Sequence, residues 1–295
     1  MELQSHNLKY LYKYRSAQDA ERILTTRTIR CSHPSVFNDL LDGQVNLKIP
    51  PMDAELREKL ASEYVRLVFL EPPVELREGI GRKLVSLWRE FARKMPRAQV
   101  EAHIRDAVSQ IDPTIEHLER KAGDLLRSAP RGPQMVCLSE NATSMPMWYH
   151  YADQYKGVVL AFDCQSDPQT SFSGAQQIKY ARSIPLVSDA DEWVQVSTGQ
   201  LAQPQNVLER MYLVKADQWE YEKEWRVIAN QGPPGSMSDI KLAPNELGGM
   251  VIGPKTDTKV ADRLIRLART WNPNCVIWET RLDYSSYGLI QTMRA

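Results

Sequence analysis

Trp219-Glu220-Tyr221-Glu222-Lys223-Glu224-Trp225-Arg226-Val227-Ile228 is the stretch around which the rest of the chain is read. Taken as a strand, its side chains alternate faces. Glu222, Glu224, Arg226 and Ile228 fall on one face, and Tyr221, Lys223, Trp225 and Val227 on the other. Two carboxylates and a guanidinium opposite an apolar face suit a solvent-facing strand. They equally suit a site in which Glu-x-Glu aims a carboxylate into a cleft, with Glu224 where the apolar part of the strand begins. At this level both readings stand.

The totals narrow the surroundings. A chain of 295 residues can bury a sizeable core. Its 42% hydrophobic and 25% charged residues are those of a globular protein and argue against disorder. Lys+Arg and Asp+Glu are both 37, so no global field draws nucleic acid or an acidic membrane, and any such partner needs a local patch. No apolar run is long enough to span a bilayer, so no membrane partner is expected. Met1 to His6 lacks the pattern of a secretion signal. Cys31, Cys137, Cys164 and Cys275 are scattered without a CxxC, which points to reduced thiols and a cytoplasmic protein.

Working outward, Leu8–Arg15 alternates apolar and basic residues as a strand does, Ala17–Leu24 has helical spacing behind a Ser16 cap, and Thr28–Ser32 is a second strand. Pro34–Gly43 reads as a turn-rich loop. Helices are expected over Ala54–Leu70, Val74–Lys94, Arg97–Ile111 and Pro113–Arg127, with an excess of Lys and Arg in the later part of the block. That excess is either a solvated face or a flank for nucleic acid or an acidic protein. Beyond it lie a strand at Gln134–Glu140, a short helix at Met145–Tyr155 and a buried strand at Gly157–Asp163. Residues 164–203 read as irregular apart from a strand at Gln177–Tyr180, Pro204–Ala216 as a helix, and Gln231–Ser238 as a loop. Strands at Gly249–Gly253, Cys275–Leu282 and Tyr287–Met293, with a helix at Thr258–Trp271, close the chain. Without a regular βαβ rhythm the expected class is α+β: one domain over 1–295, with a helical insertion at 53–128.

Glycine-rich nucleotide loops, HExxH and GxSxG are all absent, and five histidines show no metal-ligand spacing. A polar set on three separated strands remains. Arg15 either pairs with a carboxylate or holds a phosphate, since guanidinium and phosphate match bidentately. Ser139 is either a strand-end serine or a positioning hydroxyl. Glu224 either pairs with Lys223 or Arg226 at the surface, or stabilises positive charge on a substrate. Trp148, Tyr151 and Tyr155 form a helical stripe, core or stacking surface, and Asn38 and Asp39 suit turn caps.

Lys13-Tyr14-Arg15, Phe37-Asn38-Asp39, Cys137-Leu138-Ser139-Glu140, Met147–Ala152 leading into Gly157–Asp163, and Tyr221–Arg226 follow one another in an order that resembles a bacterial family known only as a domain of unknown function, DUF2971. The resemblance spans roughly residues 8–290, and the helical block is its least typical part. After Asn-Asp the family tends to continue with Pro, an aromatic residue and Glu, where this chain has Leu40-Leu41-Asp42. More distantly the chain resembles ADP-ribosyltransferases, in which a split, mostly antiparallel sheet holds NAD without a glycine loop. Arg15, Ser139 and Glu224 stand in that superfamily's order of Arg, Ser and Glu, with Glu222 two residues before Glu224, although Leu138-Ser139-Glu140 is not its usual Ser-Thr-Ser.

What this second resemblance implies is an ADP-ribosyltransferase with NAD as substrate and no metal. Glu224 and Glu222 would be catalytic, and Tyr14, Arg15, Ser139 and Tyr151 would bind NAD. A macromolecular acceptor is expected, nucleic acid ahead of protein, as in toxins and phage-defence effectors, together with a restraining antitoxin. Two alternatives stand beside it: a metal-dependent nuclease using Asp39, Asp42, Glu222 and Glu224, and a non-enzymatic binding module whose carboxylates are surface.

Overall fold

In the computed structural model, residues 6–43, 48, 50–111, 132–167, 170–201 and 206–294 are described below. The chain forms two compact units, one of residues 1–44, 129–182 and 213–295 and the other of residues 45–128 and 183–212. The fold is α+β, with a mostly antiparallel sheet.

The first unit opens as the sequence implies. β1 (Tyr10–Arg15), α1 (Ala17–Thr26) and β2 (Thr28–Ser32) follow one another, and the Ser16 hydroxyl caps α1 by accepting from the Asp19 N–H at 3.1 Å. β3 (Gly132–Ser139), α2 (Met145–Tyr151) and β4 (Val158–Asp163) come next. β4 is buried on both faces. Val158, Leu160 and Phe162 enter a core shared with α1 and with a helix here called α3 (Thr258–Trp271), while Val159 faces Tyr14 and Trp148 on the other side. A parallel pair, β10 (Leu247–Ile252) and β11 (Val276–Asp283), flanks α3, and β12 (Gly288–Met293) ends the sheet.

The remaining strands depart from the sequence reading. β5 (Gln176–Gln177) and β6 (Lys179–Ala181) replace one expected strand. The helix expected over Pro204–Ala216 is cut short: helix persists only at Val207–Tyr212, and Val214–Ala216 is a strand, β7, parallel to β6. Trp219–Ile228 is not one strand. Asp217–Glu222 is a 3₁₀ helix, Lys223 takes φ 44, and β8 runs Glu224–Gly232. The loop expected over Gln231–Ser238 shrinks to residues 233–236, between β8 and β9 (Met237–Lys241), which pairs with β2. The helix expected to reach Tyr155 ends at Tyr151, so the Trp148–Tyr151–Tyr155 stripe is broken.

Register decides where the sheet opens. β3 pairs along its length with β8, Ser139 lying opposite Glu224. On its other edge β3 meets β1 only at Tyr12↔Ser139 and β2 only at Ser32↔Met135. The middle of that edge therefore has no strand partner, and the sheet is split there. The Lys13 ammonium crosses the gap to donate to the Cys137 carbonyl.

The second unit is helical: Ala54–Phe69, Ile80–Ala92, Arg97–Ser109, Ala190–Ser197 and Val207–Tyr212. Its core gathers Leu60, Tyr64, Leu67, Trp88 and Ile104, with the Tyr64 and Trp88 rings edge to face at 4.9 Å. The Ala190–Ser197 helix carries an Asp189–Glu192 capping box within a stretch that reads as irregular from sequence. The helix expected over Pro113–Arg127 lies outside the described residues.

Gly157 sets the angle at which β4 meets β1, since a Cβ there would overlap the Arg15 and Ala152 carbonyl oxygens. Overpacking of this kind costs about 1–3 kcal/mol. Gly157→Ala is expected to lower the urea midpoint accordingly, with an unchanged denaturant slope; an unaltered midpoint would show that the two strands are free to separate.

Candidate functional site

The split opens onto a cavity of about 290 Å³ whose walls include Lys13, Tyr14, Arg15, Tyr151, Glu222 and Glu224. It has two electrostatic poles.

The acidic pole is built by the bend at Lys223. A non-glycine residue at positive φ is uncommon, and here it turns the 3₁₀ helix into β8 so that Glu222 and Glu224 converge on one ammonium. Lys215 Nζ donates to Glu222 Oε2 at 2.6 Å and to Glu224 Oε2 at 2.9 Å, and lies 3.5 Å from Asp42 Oδ2. Arg226 closes the network from β8, its Nε to Glu224 Oε1 at 2.7 Å and its Nη2 to Asp42 Oδ2 at 2.5 Å. Glu222, Glu224 and Arg226 are 4%, 3% and 0% exposed, so the solvent-facing reading of this stretch is corrected. Three carboxylates thus share two cations. Burial opposes ionisation of Glu224, but the Arg226 and Lys215 charges outweigh it and hold the carboxyl down at about 2. Burial likewise opposes protonation of Lys215, and the Glu224, Glu222 and Asp42 charges outweigh it and raise its pKa.

Neighbours fix the pole from outside. Tyr151 Oη donates to Glu222 Oε1 at 2.7 Å and accepts from Asn38 Nδ2 at 2.8 Å. Burial and the Glu222 charge raise the phenol pKa, so it remains a donor. Tyr180 Oη accepts the Glu224 N–H at 2.8 Å. Ser139 Oγ donates to the Glu222 carbonyl at 2.6 Å.

The basic pole lies on β1 and β2. Arg15 is half-buried, and its guanidinium has no hydrogen-bond or ion-pair partner among the described residues. Burial lowers its pKa, the Asp19 charge opposes that shift, and Arg22 and Arg30 add to it. Lys13 is pulled down to about 8 by burial and by Arg15. Arg30 also lines the cavity and pairs with Asp239 at 3.3 Å.

Of the six residues singled out from sequence, five line this cavity: Tyr14, Arg15, Tyr151, Glu222 and Glu224. Ser139 does not; it is fully buried and pins the backbone of Glu222. Tyr14 is 2% exposed, its ring lying edge-on to Trp148 and its hydroxyl donating to the Asn141 carbonyl at 2.7 Å. Sequence reasoning missed Lys215 and Lys13 as site residues. Lys215 fell inside an expected helix, and the one available signal, a lysine between Val214 and Ala216, was slight. Asp42, placed where the DUF2971 pattern diverges, is a network member. Asp39 instead accepts the Leu41 N–H as a turn cap. Among the described residues no group of three or more His, Cys, Asp and Glu could hold a metal ion, and the three clustered carboxylates enclose the Lys215 ammonium. Among the same residues no helix is long and apolar enough to cross a membrane.

The sequence profile of the family described as "Protein of unknown function (DUF2971)" matches residues 147–227. The likeness to that family holds over this segment, which carries Tyr151, Lys215, Glu222 and Glu224. No curated protein and no solved structure matches the chain.

A carboxyl whose pKa is depressed on folding stabilises the protein above its ordinary value, here 4.5, and that stability is lost as pH falls from there toward 2. The wild type is therefore expected to lose more stability than Glu224→Gln between pH 5 and pH 3, measured by urea unfolding; parallel losses would mean that Glu224 is not held by these cations.

Proposed function

We propose that the cleft binds NAD and that the chain transfers ADP-ribose from it to a macromolecular acceptor, on a split sheet of ADP-ribosyltransferase type. The observation that carries this reading is one cavity lined both by Arg15, which has no partner among the described residues, and by Glu222 and Glu224. NAD is charged to match, with an anionic pyrophosphate and a cationic nicotinamide. Arg15, joined by Lys13, is the anion-binding end, where a planar fork suits phosphate oxygens. The cavity lies at the lower end of ligand-site volumes, so it seats one part of a dinucleotide while the rest lies along its open side. The strand order adds support: Arg15 ends β1, Ser139 ends β3 and Glu224 begins β8.

In the reaction the glycosidic bond to nicotinamide breaks with its electron pair leaving on that ring, and the acceptor's nucleophile bonds to the same ribose carbon. Glu224, held ionised and immobile by Arg226 and Lys215, stabilises the positive charge that develops as the bond stretches. A fixed charge on a buried carboxylate is effective because it needs no reorganisation. Glu222 receives the acceptor's proton. Both its oxygens are already bonded, to Tyr151 and Lys215, so the Tyr151 bond, at the cleft wall, is the one that yields. Tyr14 and Tyr151 supply the aromatic walls against which nicotinamide rests.

Glu224→Gln keeps the shape and brings the network to two carboxylates against two cations, so the fold is expected to survive. In an incubation of labelled NAD with cell extract, the wild type is expected to transfer label to a macromolecule and Glu224→Gln to lose about a hundredfold or more of that rate. Equal labelling by the two proteins would remove the assignment.

A further inference from the structure

Tyr151, in the cleft wall, is the first of a line of rings. His150 lies 6.3 Å from it, Tyr149 5.5 Å from His150, and Tyr155 6.2 Å from Tyr149, centroid to centroid. Tyr149 is 51% exposed and His150 is exposed as well, and neither side chain makes a hydrogen bond among the described residues. The backbone leaves the helix to complete the line: Asp153, Gln154 and Tyr155 take φ values of 47, 52 and 73 in succession. Such conformations cost about 1–3 kcal/mol each and persist only where surrounding structure enforces them. The line ends with Lys255 Nζ 5.3 Å from the Tyr155 ring centre, at a second cavity of about 830 Å³ whose walls include Met145, Arg281, Tyr284 and Ile290. Tyr284 is 94% exposed there.

Tyr149 and His150 are exposed, while Tyr151 and Tyr155 are partly buried against the core beneath them. They offer π faces at intervals, and exposed Lys156, Lys255 and Arg281 offer cations beside them. The acids beside these segments include Asp153, Asp257, Asp283 and Glu222, which accepts from Tyr151, and the Asp283 carboxylate is taken up by the Ser285 and Ser286 hydroxyls. Aromatic platforms with flanking cations suit a strand whose bases are unpaired, because every base has a face to stack and every phosphate a charge to meet. A duplex keeps its bases closed to such contacts.

We infer that the acceptor is a single-stranded nucleic acid that reaches the cleft past Tyr151, with its neighbouring bases on His150, Tyr149 and Tyr155 and a further base in the second cavity against Tyr284. The inference rests on the transferase reading only for what happens in the cleft.

The test is anisotropy of labelled mixed-sequence 15-mers of RNA and of DNA, single-stranded and duplex, at low and moderate salt, with NAD binding followed separately by calorimetry. The wild type is expected to prefer single strands, and the RNA and DNA arms tell which sugar is accepted. Tyr149→Ala and Tyr284→Ala should each weaken binding about tenfold, while Tyr149→Phe and Tyr284→Phe retain it. Lys255→Glu should weaken it and flatten the salt dependence. NAD affinity and urea midpoints should not move in any of these variants. Failure of the wild type to bind single strands, unchanged binding by both alanine variants, or transfer of label to protein alone would overturn the inference. If NAD binds and strands do not, the surface is refuted and the transferase reading is untouched; if strands bind and NAD does not, the surface stands and the transferase reading falls.

Discussion

Five charged side chains buried together constrain everything around them. Asp42, Glu222, Glu224, Lys215 and Arg226 come from a loop, a 3₁₀ helix and two strands, and each is at least nine-tenths buried. Removing charges from water is costly, and the loss is offset only when nearly every lone pair and proton finds a partner. Here almost all do; Asp42 Oδ1 is the buried exception among the described side chains, together with the Ser188 hydroxyl. Such a network is poor as a source of stability. In the proposed reaction its value lies in placement, because a carboxylate held by Lys215 and Arg226 cannot relax as charge develops before it.

The split sheet is the second constraint. β3 is zipped to β8 but touches β1 only at Ser139 and β2 only at Met135, so the cavity follows from register. Helix α1, between β1 and β2, is what separates them. Residue Arg15 sits at the corner where β1 leaves for α1, which sets a guanidinium at the rim of the gap. The acidic network sits across that gap. Together the two constraints make a cleft lined by Arg15 and by the Glu222 and Glu224 carboxylates, and the proposed activity needs both.

Much of this was legible in the sequence, for reasons that differ by element. β1, α1, β2, β4 and α3 carry strong local signals, either clear periodicity, a serine or aspartate cap, or an unbroken apolar run, and their positions were read to within two residues. Glu224 at the start of an apolar strand, and its place after Arg15 and Ser139, were readable for the same reason. Lys215 was not. A three-residue strand has too few positions for a period to show, and what makes Lys215 important is the meeting of three carboxylates distant in sequence. The strand reading of Trp219–Lys223 failed because an alternation only five residues long is too short to exclude a helical turn, and the left-handed turn at Lys223 carries no glycine to announce it. β9 was hidden by the Gly, Pro and Ser of the loop that precedes it.

The central claim is that the two poles are the two ends of one NAD site. A crystal structure with an NAD analogue whose glycosidic bond cannot break tests it most directly. The account places the pyrophosphate within hydrogen-bond distance of Arg15 and the nicotinamide-side ribose against Glu224. An analogue bound elsewhere, or in the cleft with its phosphates on the far side from Arg15, would contradict it.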